Sequence, residues 1–266
     1  RENRRNEVGK VDLKYMLKNM IIFYILTIFF SISTRILFAI DDSVILKIIS
    51  QISVGCMFSM MASILINTLM RSWVRFRDSI YKDEAYLTHT LPVTKNDIYN
   101  SKLFQTLIFF VISFSVIVIG LFIAYYTKDR WILLKDFINN FTTSINFSTS
   151  FFIVSVLSIL FLEIFNALQC GYLGLLLGYR RNNGKIGFSV LFGFIAYILS
   201  QSIVLFLTFI LGLFNSNIMD LFKNNIQLDP NSFKLLAVIA IIIYLTIIVV
   251  MSFICKKVFN SGVNIE

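Results

Sequence analysis

Apolar residues gather into six long runs separated by polar stretches, at approximately residues 20–40, 48–70, 103–126, 151–177, 186–214 and 235–254. A helix needs roughly 20 residues to cross about 30 Å of hydrocarbon, and every run is that long. Strand-type alternation is absent from them, which argues against a transmembrane barrel. The pattern predicts an all-α polytopic membrane protein with six transmembrane helices, forming one domain over residues 1–266 without a linker or an internal repeat. The fourth and fifth runs are long enough to tilt or bend.

Composition agrees. Of 266 residues, 57% are AVILMFWYC and 15% are charged, against roughly 45–50% apolar and about 25% charged in soluble domains. A soluble fold of this size has too little interior for so much apolar surface, so a water-soluble enzyme and a disordered chain are both excluded. The three cysteines, Cys56, Cys170 and Cys255, sit in or beside apolar runs without metal-type spacing and read as packing residues. The chain begins on Arg1 rather than Met, so a start further upstream is expected.

Charge sets the expected orientation. Residues 1–19, 71–102, 178–185 and 255–266 together hold 17 Lys and Arg against 8 acids, a net +9. The alternate connections, 41–47, 127–150 and 215–234, hold 6 of each sign. The positive-inside rule therefore places both termini and the 71–102 loop in the cytoplasm. In a membrane protein this excess needs no nucleic acid to explain it.

Residues 10–19 read as an amphipathic interfacial helix. Lys10, Lys14 and Lys18 form a stripe for anionic headgroups, and Leu13, Leu17 and Met20 form another face. On the opposite side, Trp131, Leu134, Ile138, Phe141 and Ile145 recur at helical spacing, suggesting a surface helix. Ile218, Leu221, Phe222 and Ile226 show a weaker version.

The 71–102 loop is long for a helix–helix connection, which points to function. Residues 72–82 mix Trp73, Phe76 and Ile80 with Arg75, Arg77 and Lys82, an amphipathic segment suited to the inner membrane surface. The next stretch runs Asp83, Glu84, Ala85, Tyr86, Leu87, Thr88, His89, Thr90, Leu91 and is predicted helical, with acids at its start as the macrodipole favours. Pro92 ends it, and Thr94 with Asp97 can cap a new helix into the third span. By themselves these residues leave a docking helix and a solvated loop equally open.

The string YKDEAYLTHTLPVTKNDIYNSKL resembles the cytoplasmic-loop signature of bacterial type-two ATP-binding-cassette (ABC) transporter permeases. The likeness rests on Asp83, Glu84, Tyr86, Leu87, Thr88, Thr90, Leu91, Pro92 and Val93, then on Ser101, Lys102 and Leu103. Ala85 stands where members commonly carry Gly. The ending KKVFNSGVNIE is also similar to the family's lysine-rich close. The likeness implies an exporter subunit that pairs with a second permease copy or a homologous permease. It also implies two ATPase subunits carrying ATP and Mg on separate polypeptides, in a bacterial cell membrane. Residues Asp83 to Leu91 would then be the coupling helix that enters the ATPase, with Pro92 fixing its exit.

This chain is not expected to be an enzyme. Its nearest approach to a P-loop, Gly178 to Ile186, has five residues between the glycines and Ile186 where Ser or Thr must meet Mg. The sole histidine, His89, lies in the loop, so no span carries a histidine as metal ligand or general base. No resident cofactor or metal is expected.

Two charges fall inside spans. Glu163 is near mid-membrane, where an ionised acid costs roughly 2.5–3.5 kcal/mol unless it faces protein or water. With Ala167, Cys170, Gly171, Gly174 and Gly178 it shares a helical face of small residues suited to close packing, flanked by Asn166 and Gln169. Glu163, Asn166, Gly171 and Gly174 are thus candidates for a transport path or a helix interface. Arg35 is nearer a membrane surface and about 10 Å from the depth of Glu163, so the two are not expected to pair. The apolar spans and small outer loops fit an amphipathic or hydrophobic substrate, such as an antimicrobial-type peptide or a lipid. The alternative is a non-transporting immunity or scaffold protein acting through helix contacts.

Overall fold

The computed structural model describes residues 2–40, 43–82, 84–85, 94–126, 132, 135–136, 138–140, 142, 148–214, 219 and 230–262, with side chains from residue 12 onward and outside 230–233. Its long elements are helices: α1 Glu2–Ala39, α2 Val44–Tyr81, α3 Lys95–Tyr125, α4 Thr149–Gly178, α5 Lys185–Phe214 and α6 Pro230–Asn260. All six contain a stretch long and apolar enough to span a bilayer. The protein is an all-helical, multi-pass membrane protein. Its chain forms two compact units, residues 1–133 with α1–α3 and residues 134–266 with α4–α6.

In the first unit α1 packs along both α2 and α3. Met16 and Met20 of α1, Met57, Met61 and Ile64 of α2, and Phe109, Ile117 and Ala124 of α3 make its apolar core. Hydroxyls join the helices where apolar packing alone gives no direction. Tyr24 Oη lies 2.7 Å from Ser113 Oγ, and the Thr68 hydroxyl reaches Ser113 at 2.9 Å. Thr34 and Ser53 pair at 2.9 Å.

Two features differ from the sequence expectation. Residues 10–19 are helical but continuous with the first span, and Leu13, Leu17 and Met20 pack on the unit's core. Residues 72–81 continue α2 instead of forming a separate surface segment. No Pro or Gly interrupts that stretch, and burying its Ser72, Arg75, Phe76, Ser79 and Ile80 face favours the unbroken helix. As expected, a new helix leads into the third span: it starts at Lys95, eight residues before the apolar run at Leu103, with Thr94 as its cap. The Thr94 side chain accepts from the Asp97 amide at 3.2 Å and donates to its carboxylate at 2.7 Å, so the Thr94–Asp97 cap forms. Much of the 71–102 region is therefore helix, leaving 82–94 as the connection.

In the second unit α4 packs along both α5 and α6. The α4–α5 crossing is made of small residues. A methyl group added at Gly174 would overlap the backbone of Ser189 and Gly193, and one at Gly178 would overlap Ser189. Accordingly α5 buries only Ser189, Ser200 and Gly212. Its large side chains, among them Phe194, Leu205, Phe206 and Leu213, face outward, as lipid-facing side chains do. Gly184, with φ +67°, turns the chain from α4 into α5, a conformation open to glycine.

Candidate functional site

The first unit carries a cluster of four charges, three of them buried and Glu84 exposed, where the 82–94 connection leaves α2. Asp12 occupies the α1 stripe of Met16 and Met20, each four residues on, and is 2% exposed. Arg75 Nε donates to Asp12 Oδ1 at 2.7 Å, and Arg75 Nη2 pairs with the same oxygen. Lys102 Nζ pairs with Asp12 Oδ2. The far side of the Arg75 guanidinium takes Glu84 in a fork, Nη1 to Oε1 at 2.8 Å and Nη2 to Oε2 at 2.7 Å. Two cations and two anions leave the cluster neutral, the condition under which burying ions is tolerable.

Aromatic packing fixes this cluster. The Arg75 guanidinium lies 5.0 Å from the Tyr15 ring centroid, a cation–π distance. Phe76 and Tyr99 meet edge to face at 6.4 Å, locking the end of α2 to the start of α3. Ala85 is fully buried, with its amide on the Lys82 carbonyl at 2.6 Å. By contrast, Arg77 and Asp78 pair between partly buried side chains, and the Lys82–Asp78 pair, with Lys82 exposed, is of the kind that contributes about 0–1 kcal/mol.

Of the residues expected to make the coupling helix, only Glu84 and Ala85 are placed. Asp83, Tyr86, Leu87, Thr88, His89, Thr90, Leu91 and Pro92 lie outside the described residues. So do Trp131, Leu134, Phe141 and Ile145, and Ile218, Leu221, Phe222 and Ile226.

The candidates in α4 fall at its contacts with α5 and α6. Asn166, fully buried, donates to Ser200 at 2.8 Å. Gly174 sits against the α5 backbone, and Gly171 lies near Gly193. Gln169 donates to Ser252 of α6 at 2.6 Å. Glu163 is half-buried and accepts from Tyr197 at 3.2 Å. One turn along that α5 face, Gln201 accepts from Tyr244 of α6 at 3.2 Å. No family model, curated protein or solved structure matches the chain.

Sequence reasoning missed Asp12, read Arg75 only as part of an amphipathic segment, and quoted Lys102 without a role. The available signal was an acid on a methionine stripe: Asp12, Met16 and Met20 fall at i, i+4 and i+8. It also missed Tyr197, Gln201 and Tyr244. Tyr197 and Gln201 are i, i+4 polar residues inside an apolar run, a pattern that places both on one helix face.

Proposed function

We propose that this chain is the permease subunit of a bacterial ABC exporter, moving an amphipathic or hydrophobic substrate outward while separate ATPase subunits hydrolyse ATP. One observation carries the reading. The family-like string runs from Tyr81 to Leu103, and residues from both of its ends, Glu84 and Lys102, meet on Arg75 and Asp12. A load applied to the 82–94 connection would pass directly into α1, α2 and α3. In this reading the connection faces the cytoplasm, and a second permease copy completes the transporter.

The test is purification of tagged chain from its source cells with whatever ATPase accompanies it. Wild-type chain is expected to retain a P-loop polypeptide and its ATP turnover, and Leu87→Asp or Tyr86→Asp to lose both. Intact association and turnover in those variants would overturn the proposal. The non-transporting alternative drew on the small-residue face of α4 as a surface for another protein's helix. Gly174 and Gly178 of that face are already occupied by α5, which favours the exporter reading. ATP-dependent efflux from reconstituted vesicles would eliminate the alternative.

A further inference from the structure

We infer that Glu163, with Tyr197, Gln201 and Tyr244, forms an intramembrane binding site for the cationic group of an amphiphile. The inference deepens the exporter reading by giving its substrate a charge.

The first observation is an acid without a counter-ion. Glu163 stands 14 residues after Thr149 and 15 before Gly178, about 21 Å from either end of α4. Among the described residues it makes no ion pair, and its one hydrogen bond comes from Tyr197. The described basic side chains of α4, α5, α6 and the turn joining α4 to α5, including Arg180, Lys185, Lys234 and Lys257, sit near helix ends. A carboxylate has about four lone-pair sites, so most of the acceptor capacity of Glu163 is unused. An acid at this depth calls for a cation or a proton.

The second observation is an unsatisfied amide one helical turn along α5 from Tyr197. Tyr197 and Gln201 share one face of α5; the first holds Glu163 of α4 and the second holds Tyr244 of α6. Gln201 Nε2 is buried and has no hydrogen-bond partner. Turning the amide over would leave its oxygen in the same position, so one end stays unsatisfied either way. Buried polar groups are rarely left so. A ligand carrying a carbonyl or hydroxyl in addition to its positive charge would offer that amide a partner.

The third observation is the surroundings. Two tyrosine hydroxyls, of Tyr197 and Tyr244, mark the site's polar end, while the half-exposed Glu163 keeps the site open at its edge. The neighbouring outward residues Leu160, Ile198 and Leu199 are apolar and exposed, a surface along which the hydrophobic part of an amphiphile can lie. A purely structural Glu163–Tyr197 bond would account for neither the unused carboxylate oxygen nor the orphaned amide.

Equilibrium binding of radiolabelled tetraphenylphosphonium to the full chain in nanodiscs of neutral lipid tests this. Wild type is expected to bind saturably, and uncharged triphenylphosphine oxide to compete poorly. Glu163→Gln should weaken binding by about tenfold or more, as loss of a desolvated charge partner does. Glu163→Asp should keep most of it, which separates lost charge from lost fold. No saturable binding to wild type, equal affinity in Glu163→Gln, or equal competition by the neutral compound would overturn the site. The assay needs no ATPase, so its failure is distinguishable from failure of the Leu87→Asp experiment.

Discussion

Lys102 of α3 and Asp12 of α1 form an ion pair almost wholly withdrawn from solvent, their side chains being 7% and 2% exposed. They are 90 residues apart, and Arg75 completes the contact from α2. One carboxylate therefore holds three helices together at the point where the 82–94 connection departs.

Asp12→Asn is expected to destabilise the first unit strongly, because Arg75 and Lys102 would face each other without the anion between them. The loss should be about 3–5 kcal/mol, read from unfolding in mixed detergent–SDS micelles. Lys102→Met should lose less, since Arg75 still neutralises Asp12. If Asp12→Asn is no worse than Lys82→Ala, which removes an exposed pair at 3.8 Å, the cluster does not hold the unit.

Glu84→Gln separates anchoring from stability. The Glu84 side chain is 47% exposed, so its removal should change stability by about 1 kcal/mol or less. Hydrogen exchange at the Ala85 amide should nevertheless accelerate, while amides at Met16 and Ile64 stay protected. Unchanged exchange at Ala85 would mean that the Arg75 fork does not fix the connection.

Gly174→Ala should force α4 and α5 apart, since the added methyl meets backbone rather than a side chain that can move. Gly55→Ala is the control: its methyl meets nothing within 4 Å, and it should stabilise α2 by roughly 0.5–1 kcal/mol. Disulfide cross-linking of engineered cysteine pairs across α4–α5 should fall in the first variant and stay unchanged in the second.

Tyr24 and Ser113 can be tested by a double-mutant cycle. Tyr24→Phe and Ser113→Ala each break the 2.7 Å contact, and their coupling should lie at roughly 0.6–1.7 kcal/mol, as for polar contacts between membrane helices. A coupling of zero would leave apolar packing as what holds α1 to α3 at that level.

The six helices were legible because long apolar runs leave the chain few choices in a bilayer. The Thr94 cap was legible because it is local, needing only a hydroxyl and an acid three residues apart. The charge cluster was not, since Asp12, Arg75 and Lys102 belong to three helices and nothing local to any one of them reveals the others. The end of the second helix failed for a related reason. Hydropathy stopped that span at Met70, whereas the partners of Arg75 let α2 carry charge on to Tyr81. The small-residue face of α4 was visible, but that Ser189 and Gly193 of α5 answer it was not.

The way α5 is held divides its residues into two kinds of inheritance. Where Ser189 and Gly193 lie against α4, bulk is the quantity a lineage must preserve, and even one carbon is a large step. Along the outward side, Phe194, Leu205, Phe206 and Leu213 are free to exchange with one another over generations so long as they stay oily. A comparison of diverging copies of this helix would then show a quiet seam of small residues running through a noisy surface.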